Sequence, residues 1–226
     1  PNPNARFYKD EDGKGQFFTD YCSWQRIPQY RDFIFNSPAS KIGADLMMSK
    51  KAQLFHEHIL IKEAQTGIPT PWHHDMPYYC VDGPKTVSLW VPLDEIPRER
   101  TLEFIAGSHL WGKSFRPQHF NGKPINEADK LENIPNIEDN RDDYNIVGWD
   151  LKPGDAVAFD YRTLHGAPGN NSPSAQRRAF SLRLVGDDIR FVRRENIITS
   201  PPFNEVKLNH GDPLVGDQFP MLYKRS

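Results

Sequence analysis

Cysteine is scarce in this chain of 226 residues, which has only Cys22 and Cys80, so the disulfide framework typical of small secreted proteins is excluded. Long apolar runs are missing too, because no stretch approaches the roughly 20 residues that a membrane-spanning helix needs. A basic excess is also absent, since the formal net charge is −2 and a nucleic-acid-binding surface is usually strongly positive. These absences favour a cytoplasmic protein that acts on a small molecule, without membrane or nucleic-acid partners. They leave its oligomeric state open.

Strand-like patterns, in contrast, occur along most of the chain. Residues 51–62 alternate so that Leu54, His56 and His58 share one face. The sequence predicts further strands at 86–93, 101–105, 155–161, 177–185 and 190–194, and short helices at 27–35 and 40–48. Many short strands with few helices predict one domain over 1–226, with an all-β core and flanking α-helices.

The segment 111–148 is different, because it is polar and rich in Asn, Asp, Glu and Pro, with no sustained period. Long insertions of this kind in compact domains are usually functional lids or linkers. Its acidic residues are most often a solvated surface. The alternative is that 111–148 forms a lid between core strands.

Two histidines and one aspartate form a candidate metal site. His73 and Asp75 stand two positions apart, and side chains at that spacing project from the same face of a strand. Taken alone, such a pair is more often an ordinary turn feature. His165, however, follows the strand pattern of 155–161, so that a neighbouring strand can bring a second imidazole alongside. Two histidines and a carboxylate are the facial triad of non-heme Fe(II) oxygenases, which leaves three metal positions open.

Arg177 is a candidate carboxylate-binding residue, twelve positions beyond His165 (177 minus 165). An arginine there can hold a carboxylate through two parallel hydrogen bonds. Arg177 and Arg178 must face opposite ways on a strand. Because Arg177 shares its face with the small Ala179 and Ser181, which leave room for a ligand, it is the predicted clamp.

Five blocks of sequence carry a resemblance to a known family. They are Trp-His-His-Asp-Met-Pro-Tyr at 72–78, Ser-Leu-Trp-Val-Pro-Leu-Asp at 88–94, Leu-Glu-Phe-Ile-Ala-Gly-Ser-His at 102–109, Leu-His-Gly-Ala-Pro-Gly-Asn at 164–170 and Arg-Arg-Ala-Phe-Ser at 177–181. In this order they resemble the phytanoyl-CoA dioxygenase family of Fe(II)- and 2-oxoglutarate-dependent oxygenases. The chain departs from the family at His74, where Gln is frequent, and at Glu99-Arg100, where Asn-Gly is frequent. Because the chain starts with Pro1, the resemblance also implies that an N-terminal segment of the family fold lies upstream.

The resemblance implies a double-stranded β-helix, the jelly roll of cupin-like proteins, with flanking α-helices. It implies that His73, Asp75 and His165 bind Fe(II) and are the catalytic residues. The cosubstrates would be 2-oxoglutarate and O2. The implied enzyme is a dioxygenase that hydroxylates a small organic substrate and releases succinate and CO2.

The resemblance also implies roles for the residues around the metal. Arg177 would hold the far carboxylate of 2-oxoglutarate, with Trp90, Thr101 and His58 beside the same cosubstrate. His74 would be a substrate-binding residue or would support the metal ligands. The alternative for Trp90 is an ordinary core residue, and the alternative for His58 is a hydrogen-bonded histidine inside the barrel.

Two other classes of protein stay open on the sequence. A non-catalytic metal-binding protein of the cupin type would share the barrel, and a metallohydrolase would use the same ligands with Zn(II). Arg177 argues against both, because hydrolysis needs no dicarboxylate clamp. A halogenase is disfavoured, since related halogenases have a small residue in place of Asp75. The substrate is not readable, and a CoA thioester would call for a basic cluster that binds its phosphates. The candidates for such a cluster are Lys50, Lys51, Arg193 and Arg194.

Overall fold

The computed structural model describes residues 4–10, 14–119, 123–125, 131–194, 199–203 and 205–225. Its strands are β1 (Arg6–Lys9), β2 (Gln16–Tyr21), β3 (Lys51–Lys62), β4 (Thr70–His73), β5 (Val81–Asp82), β6 (Thr86–Pro92), β7 (Glu103–Ile105), β8 (Ile146–Val147), β9 (Val157–Phe159), β10 (His165–Ala167), β11 (Arg177–Val185), β12 (Arg190–Phe191) and β13 (Met221–Lys224). Its α-helices are α1 (Pro28–Asn36) and α2 (Ala39–Leu46), and 3-10 helices span Met76–Tyr78, Arg98–Arg100, Ser108–Leu110 and Glu138–Asp143. Within these described residues, no helix combines the length and apolarity needed to cross a bilayer.

The described strands form two larger antiparallel sheets that pack together, and β5 and β12 form a separate two-stranded antiparallel sheet. The larger sheet has the order β1-β2-β3-β11-β6-β9, with β13 also pairing with β3, and the smaller sheet has the order β4-β10-β7-β8. Trp90 and Phe159 of the larger sheet pack against Phe104 and Ala167 of the smaller one. Strands far apart in sequence are therefore neighbours in space, as in a jelly roll. The predicted all-β core with flanking helices is confirmed.

The helices cover the outer face of the larger sheet. Ile34 of α1 and Ala44 of α2 are fully buried in one cluster with Leu182 and Leu184 of β11. Gly43 permits this close approach, since a Cβ atom there would meet Leu184 Cδ1 at 2.5 Å. The outer face of the larger sheet is thus apolar and covered by the helices. The polar side chains of the sheet are left for its inner face.

Strand β3 contains an irregularity that the sequence pattern does not reveal. His56 lies opposite Arg183, but the next register pair is Leu54 with Leu184, so Phe55 is the extra residue of a β-bulge. Leu54 consequently packs in the outer cluster. The predicted alternation holds from His56 onward, and the expectation that Leu54 shares the histidine face is wrong.

Candidate metal centre

Three side chains with metal-binding groups meet between the two sheets. His73 ends β4 and lies directly opposite His165, which begins β10, so that their ring centroids are 4.2 Å apart. Asp75 follows, with its Oδ1 3.8 Å from His73 Nε2. The ligand atoms of His73, Asp75 and His165 all lie within 4.8 Å of one another. The structure therefore brings together the three residues singled out by the sequence.

Asp75 reaches this cluster by a route that differs from the expected one. Strand β4 ends at His73, and Asp75 has helical backbone angles (φ −70°, ψ −36°) as it leads into the 3-10 helix Met76–Tyr78. The two residues therefore do not share one strand face. A turn, and not the strand period, brings the carboxylate toward the imidazoles.

Both imidazoles are oriented by backbone carbonyl groups. His73 Nδ1 lies 2.8 Å from the carbonyl oxygen of Pro71, and His165 Nδ1 lies 2.9 Å from that of Thr163. When Nδ1 donates its proton in this way, the lone pair of Nε2 is free for a metal, the usual arrangement of ligating histidines. Burial lowers the pKa of His165 to about 3 and also lowers that of His73. Both rings are therefore neutral, which is the form that binds metal.

The second oxygen of the Asp75 carboxylate is held by two donors. Ser88 Oγ donates at 3.2 Å and Arg183 Nε donates at 3.3 Å, both to Asp75 Oδ2. Burial by itself would raise the pKa of Asp75, but the Arg183 guanidinium and the neighbouring imidazoles together outweigh burial and hold that pKa well below its ordinary value. The carboxylate is therefore ionised, and Oδ1 is left for a metal. Arg183 was not among the predicted site residues, although its even spacing from Arg177 along β11 places both on one face.

A second polar region lies on the same face of β11, at the end of the strand away from Arg183. Arg177 is only 5% exposed, and its Nη1 donates to the carbonyl oxygens of Arg100 at 2.7 Å and Pro168 at 3.2 Å. Lys62, its fully buried partner across β3, donates to the same Pro168 oxygen at 3.0 Å. Burial lowers the pKa of Arg177 to about 10 and lowers that of Lys62 well below its usual value. Two buried basic side chains, with no carboxylate among their described partners, form a region suited to an anion.

The neighbouring Arg178 behaves as the strand pattern predicts. It points away from the barrel and forms an exposed ion pair with Asp94, with Nη2 2.6 Å and Nε 3.1 Å from Oδ1. Arg177 and Arg178 thus lie on opposite faces of β11. The role of Arg177 as a cosubstrate clamp stays a prediction.

Hydroxyl groups without partners lie in the same interior. Thr101 Oγ1 and Ser181 Oγ are buried and have no hydrogen-bond partner. Ser181 stands opposite Trp90 on β6 and opposite His58 on β3, so these side chains share the inner face. An interior with several unpaired polar atoms is suited to a polar ligand, and 2-oxoglutarate, a dicarboxylate, fits this set of donors.

A cavity of about 480 Å³ opens beside the metal cluster. The residues that line it include His56, His58, His73, Asp75, Tyr21, Tyr78, Tyr79 and Arg183. A larger cavity of about 790 Å³ lies on the other side of Pro71, but its lining includes none of the three candidate ligands. The smaller cavity is therefore the candidate reaction chamber.

His74 lies outside this chamber. It is buried, and its Nε2 accepts a hydrogen bond from the backbone N–H of Phe115 at 2.9 Å. Burial lowers the pKa of His74 to about 4, consistent with a neutral acceptor. The side chain next to His73 on a strand points the opposite way, and a substrate-binding role of His74 stays a prediction.

Within the described part of segment 111–148, Gln118 contacts β4 and the 3-10 helix that follows it. The hydroxyl of Tyr78 donates to the Gln118 carbonyl and accepts from the Gln118 N–H, each at 2.8 Å, and Gln118 Nε2 donates to the Trp72 carbonyl at 3.1 Å. The segment is not without structure, since β8 within it pairs with β7. Residues 120–122 and 126–130 of the predicted lid lie outside the described part of the chain.

The fold and the site define a class of protein. A cupin-like double-stranded β-helix with a buried His-Asp-His cluster between its sheets is the architecture of the 2-oxoglutarate-dependent oxygenases. The family model described as phytanoyl-CoA dioxygenase (PhyH) matches residues 8–179, which is more than half of the chain. The chain therefore belongs to the phytanoyl-CoA dioxygenase family of Fe(II)- and 2-oxoglutarate-dependent oxygenases.

Solved structures share the fold at low sequence identity. The α-ketoglutarate-dependent carbocyclase SnoK from nogalamycin biosynthesis has a TM-score of 0.73 and 21% identity, covering 97% of this chain and 81% of SnoK. The epimerase SnoN in complex with Fe3+, α-ketoglutarate and nogalamycin RO has a TM-score of 0.72 and 21% identity, covering 98% of this chain and 84% of SnoN. EctD from S. alaskensis with 2-oxoglutarate and 5-hydroxyectoine has a TM-score of 0.65 and 19% identity, covering 92% and 67% of the two chains.

One curated protein also matches by sequence. It is the multifunctional dioxygenase prhA of Penicillium brasilianum, with 23% identity over 175 residues, 72% of this chain and 53% of the relative. The chain thus spans about half the length of this curated relative. At such identities the solved structures support the fold alone.

Proposed function

We propose that the protein is a non-heme Fe(II)- and 2-oxoglutarate-dependent dioxygenase that hydroxylates a small organic substrate, with release of succinate and CO2. The observation that carries the proposal is the cluster of His73, Asp75 and His165 beside a cavity. Its two imidazoles are neutral and oriented, and its carboxylate is ionised. These are the ligand types and protonation states that Fe(II) needs.

The surrounding residues support the metal in defined ways. Arg183 and Ser88 donate hydrogen bonds to Asp75 Oδ2. The carboxylate therefore stays ionised, and its Oδ1 is left for a metal. The carbonyl groups of Pro71 and Thr163 fix the imidazole tautomers. Supporting hydrogen bonds of this kind orient the ligands and strengthen metal binding.

The anion region at the other end of β11 supports cosubstrate binding. Arg177 and Lys62 are proposed to bind the far carboxylate of 2-oxoglutarate, and the buried hydroxyl of Ser181 lies on the same strand face between Arg177 and Arg183. When bound, iron and 2-oxoglutarate supply the oxidation: O2 converts 2-oxoglutarate to succinate and CO2, and one oxygen atom replaces the hydrogen of a substrate C–H bond as hydroxyl. The protein positions these reactants and excludes water from between the sheets. A metallohydrolase would have no use for the buried cation pair.

The segment 111–148 is proposed to act as a lid over the cavity, because Gln118 forms hydrogen bonds with Tyr78 in the cavity wall.

A CoA thioester is not proposed as substrate. Of the basic candidates, Arg194 donates to the carbonyl oxygens of Met76, Tyr79 and Val81. Arg194 therefore stabilises the turn after Asp75 and is not free to bind phosphate.

We also propose a cytoplasmic location, since both cysteines are free thiols.

Succinate formation tests the proposed function directly. Anaerobically reconstituted protein is mixed with 2-oxoglutarate and O2, with and without Fe(II), and succinate is quantified. We expect iron-dependent succinate from the native protein, none from His165→Ala, and native yield from His210→Ala, which removes an exposed histidine. Stoichiometric iron retention by His165→Ala, or succinate release without iron, would overturn the assignment.

A further inference from the structure

Two unpaired polar atoms in the cavity wall point to the chemistry of the substrate. Arg183 is only 6% exposed, and its Nη1 has no hydrogen-bond partner although its Nε is bonded to Asp75. A buried guanidinium N–H without an acceptor is costly, because water is lost and nothing replaces it. An acceptor supplied by a ligand in the cavity would remove that cost.

His56 presents the complementary group. It is 2% exposed, and its Nδ1 lies 3.2 Å from the Glu57 carbonyl oxygen, to which it donates. In a neutral imidazole the other nitrogen then carries a lone pair, so Nε2 is an acceptor. That Nε2 has no partner either. A ligand hydroxyl or N–H is what this atom can bind.

The donor and the acceptor are neighbours. Arg183 on β11 and His56 on β3 are direct register partners, and opposite side chains of antiparallel strands stand about 5 Å apart at Cβ. Both line the cavity that is also lined by His73 and Asp75 of the metal cluster. The aromatic side chains of Tyr21, Tyr78 and Tyr79 form much of the remaining wall.

We propose that the substrate is a small organic acid with a hydroxyl or N–H group next to its carboxylate, bound by Arg183 Nη1 through the carboxylate and by His56 Nε2 through the adjacent donor. The proposal rests on the proposed function, because it takes the cavity beside the metal as the substrate site. The tyrosines would pack against an apolar or aromatic remainder of the substrate.

The cosubstrate does not account for these atoms. Arg177 and Arg183 stand six positions apart on one strand, which is about 20 Å at the rise of a β-strand. A five-carbon dicarboxylate that reaches from the metal to Arg177 and Lys62 therefore extends away from His56. The two arginines serve different anions.

Three matched probes test the proposal: 2-hydroxy-3-phenylpropanoate, 3-phenylpropanoate and 2-hydroxy-3-phenylpropanamide. Each is titrated by calorimetry into anaerobic protein saturated with Fe(II) and 2-oxoglutarate. We expect the hydroxy acid to bind about tenfold or more tightly than either of the others, because each of them leaves one buried group unpaired. Equal affinities, or absence of binding by all three, would each overturn the proposal.

Variants assign the two contacts separately. Arg183→Gln should abolish the preference for the acid over the amide and keep the preference for the hydroxyl, whereas His56→Leu should do the reverse. Arg183→Lys should restore part of the acid preference. Arg178→Gln removes an arginine from the outer face of the same strand and should change neither preference. If both site variants weaken all three probes by the same factor, the effect is structural and the assignment is wrong.

Failure of the oxygenase assignment can be distinguished from failure of the proposed ligand class. Iron and 2-oxoglutarate binding are measured first, by metal analysis and by the charge-transfer absorption of the anaerobic complex. A native protein that binds neither of them, but discriminates among the probes, would overturn the oxygenase assignment and keep the ligand class. A protein that binds both of them, but does not discriminate, would overturn only the ligand class.

Discussion

Arg183 Nε lies 3.3 Å from Asp75 Oδ2, while His73 Nε2 approaches the other oxygen of the same carboxylate. The aspartate is thus shared between an arginine and the candidate metal position. Both partners are almost completely buried, where an ionised carboxylate without a cation would be costly. The arginine therefore keeps the site ready for metal before any metal binds.

Metal affinity should depend on this arginine. Arg183→Gln removes the charge that holds Asp75 ionised, and loss of such a supporting partner typically weakens metal binding by about tenfold to a hundredfold. The measurement is a competitive Fe(II) titration under anaerobic conditions, with Arg178→Gln as the control. Unchanged affinity in Arg183→Gln would mean that the pair has no part in metal binding.

The affinity for 2-oxoglutarate should depend on Arg177, which faces the interior, and not on Arg178, which faces outward. Arg177→Ala should raise the dissociation constant of 2-oxoglutarate by about two orders of magnitude, because the carboxylate loses a charged, desolvated partner. Lys62→Met, which keeps the volume of the side chain, should raise that constant by about tenfold. Arg178→Ala should leave it nearly unchanged. A loss of 2-oxoglutarate affinity in Arg178→Ala alone would mean that the assigned strand register is wrong by one residue.

Stability should fall as the pH rises from 4.5 to about 7 because of Glu57. This fully buried carboxylate accepts backbone N–H groups of Ser23 and Trp24, and burial raises its pKa from 4.5 to about 7. Since the folded state binds the proton more tightly, the stabilisation is complete below 4.5 and is lost as the pH rises through about 7. The expected slope in that window is on the order of 1 kcal/mol per pH unit.

Urea unfolding across this pH range checks the slope. Glu57→Gln keeps an oxygen acceptor and cannot ionise, so its free energy of unfolding should vary less with pH than that of the native protein. Glu95→Gln, at an exposed position, should behave like the native protein. Parallel curves for the native protein and Glu57→Gln would exclude Glu57 as the titrating group.

His74 should act on the covering segment and not on substrate. His74→Phe leaves the buried N–H of Phe115 without its acceptor, which should destabilise the fold by about 1–3 kcal/mol. Hydrogen exchange of the Phe115 amide should accelerate in this variant, and His74→Gln should restore protection. Unchanged exchange at Phe115 together with a raised KM for substrate would instead return His74 to the substrate site.

The sequence predicted well wherever a local rule decides the outcome. The period of two along β3 and β11 placed His56 and His58 on one face and separated Arg177 from Arg178. The residue types that bind iron are few, so His73, Asp75 and His165 were recognisable before their distances were known. The resemblance then supplied the barrel in which those residues meet.

Long-range register decided what the sequence did not reveal. The predicted strand face for Asp75 was replaced by a turn, and the bulge at Phe55 reversed the direction of Leu54, because packing between distant elements sets both features. Apart from the strand period, Arg183 and Lys62 have no local signal that distinguishes them from surface cations. Their burial and their partners exist only once β3 pairs with β11.

The chain by itself therefore determined which chemical groups the site contains, since ligand chemistry restricts residue type. Only the tertiary structure decided how those groups are charged and where they point. Asp75 is ionised because the fold brings Arg183 to it from 108 positions away, and Arg177 lies beside Lys62 because two strands pair in one register. Electrostatic energy depends on distance and burial, and neither quantity is present in a linear sequence.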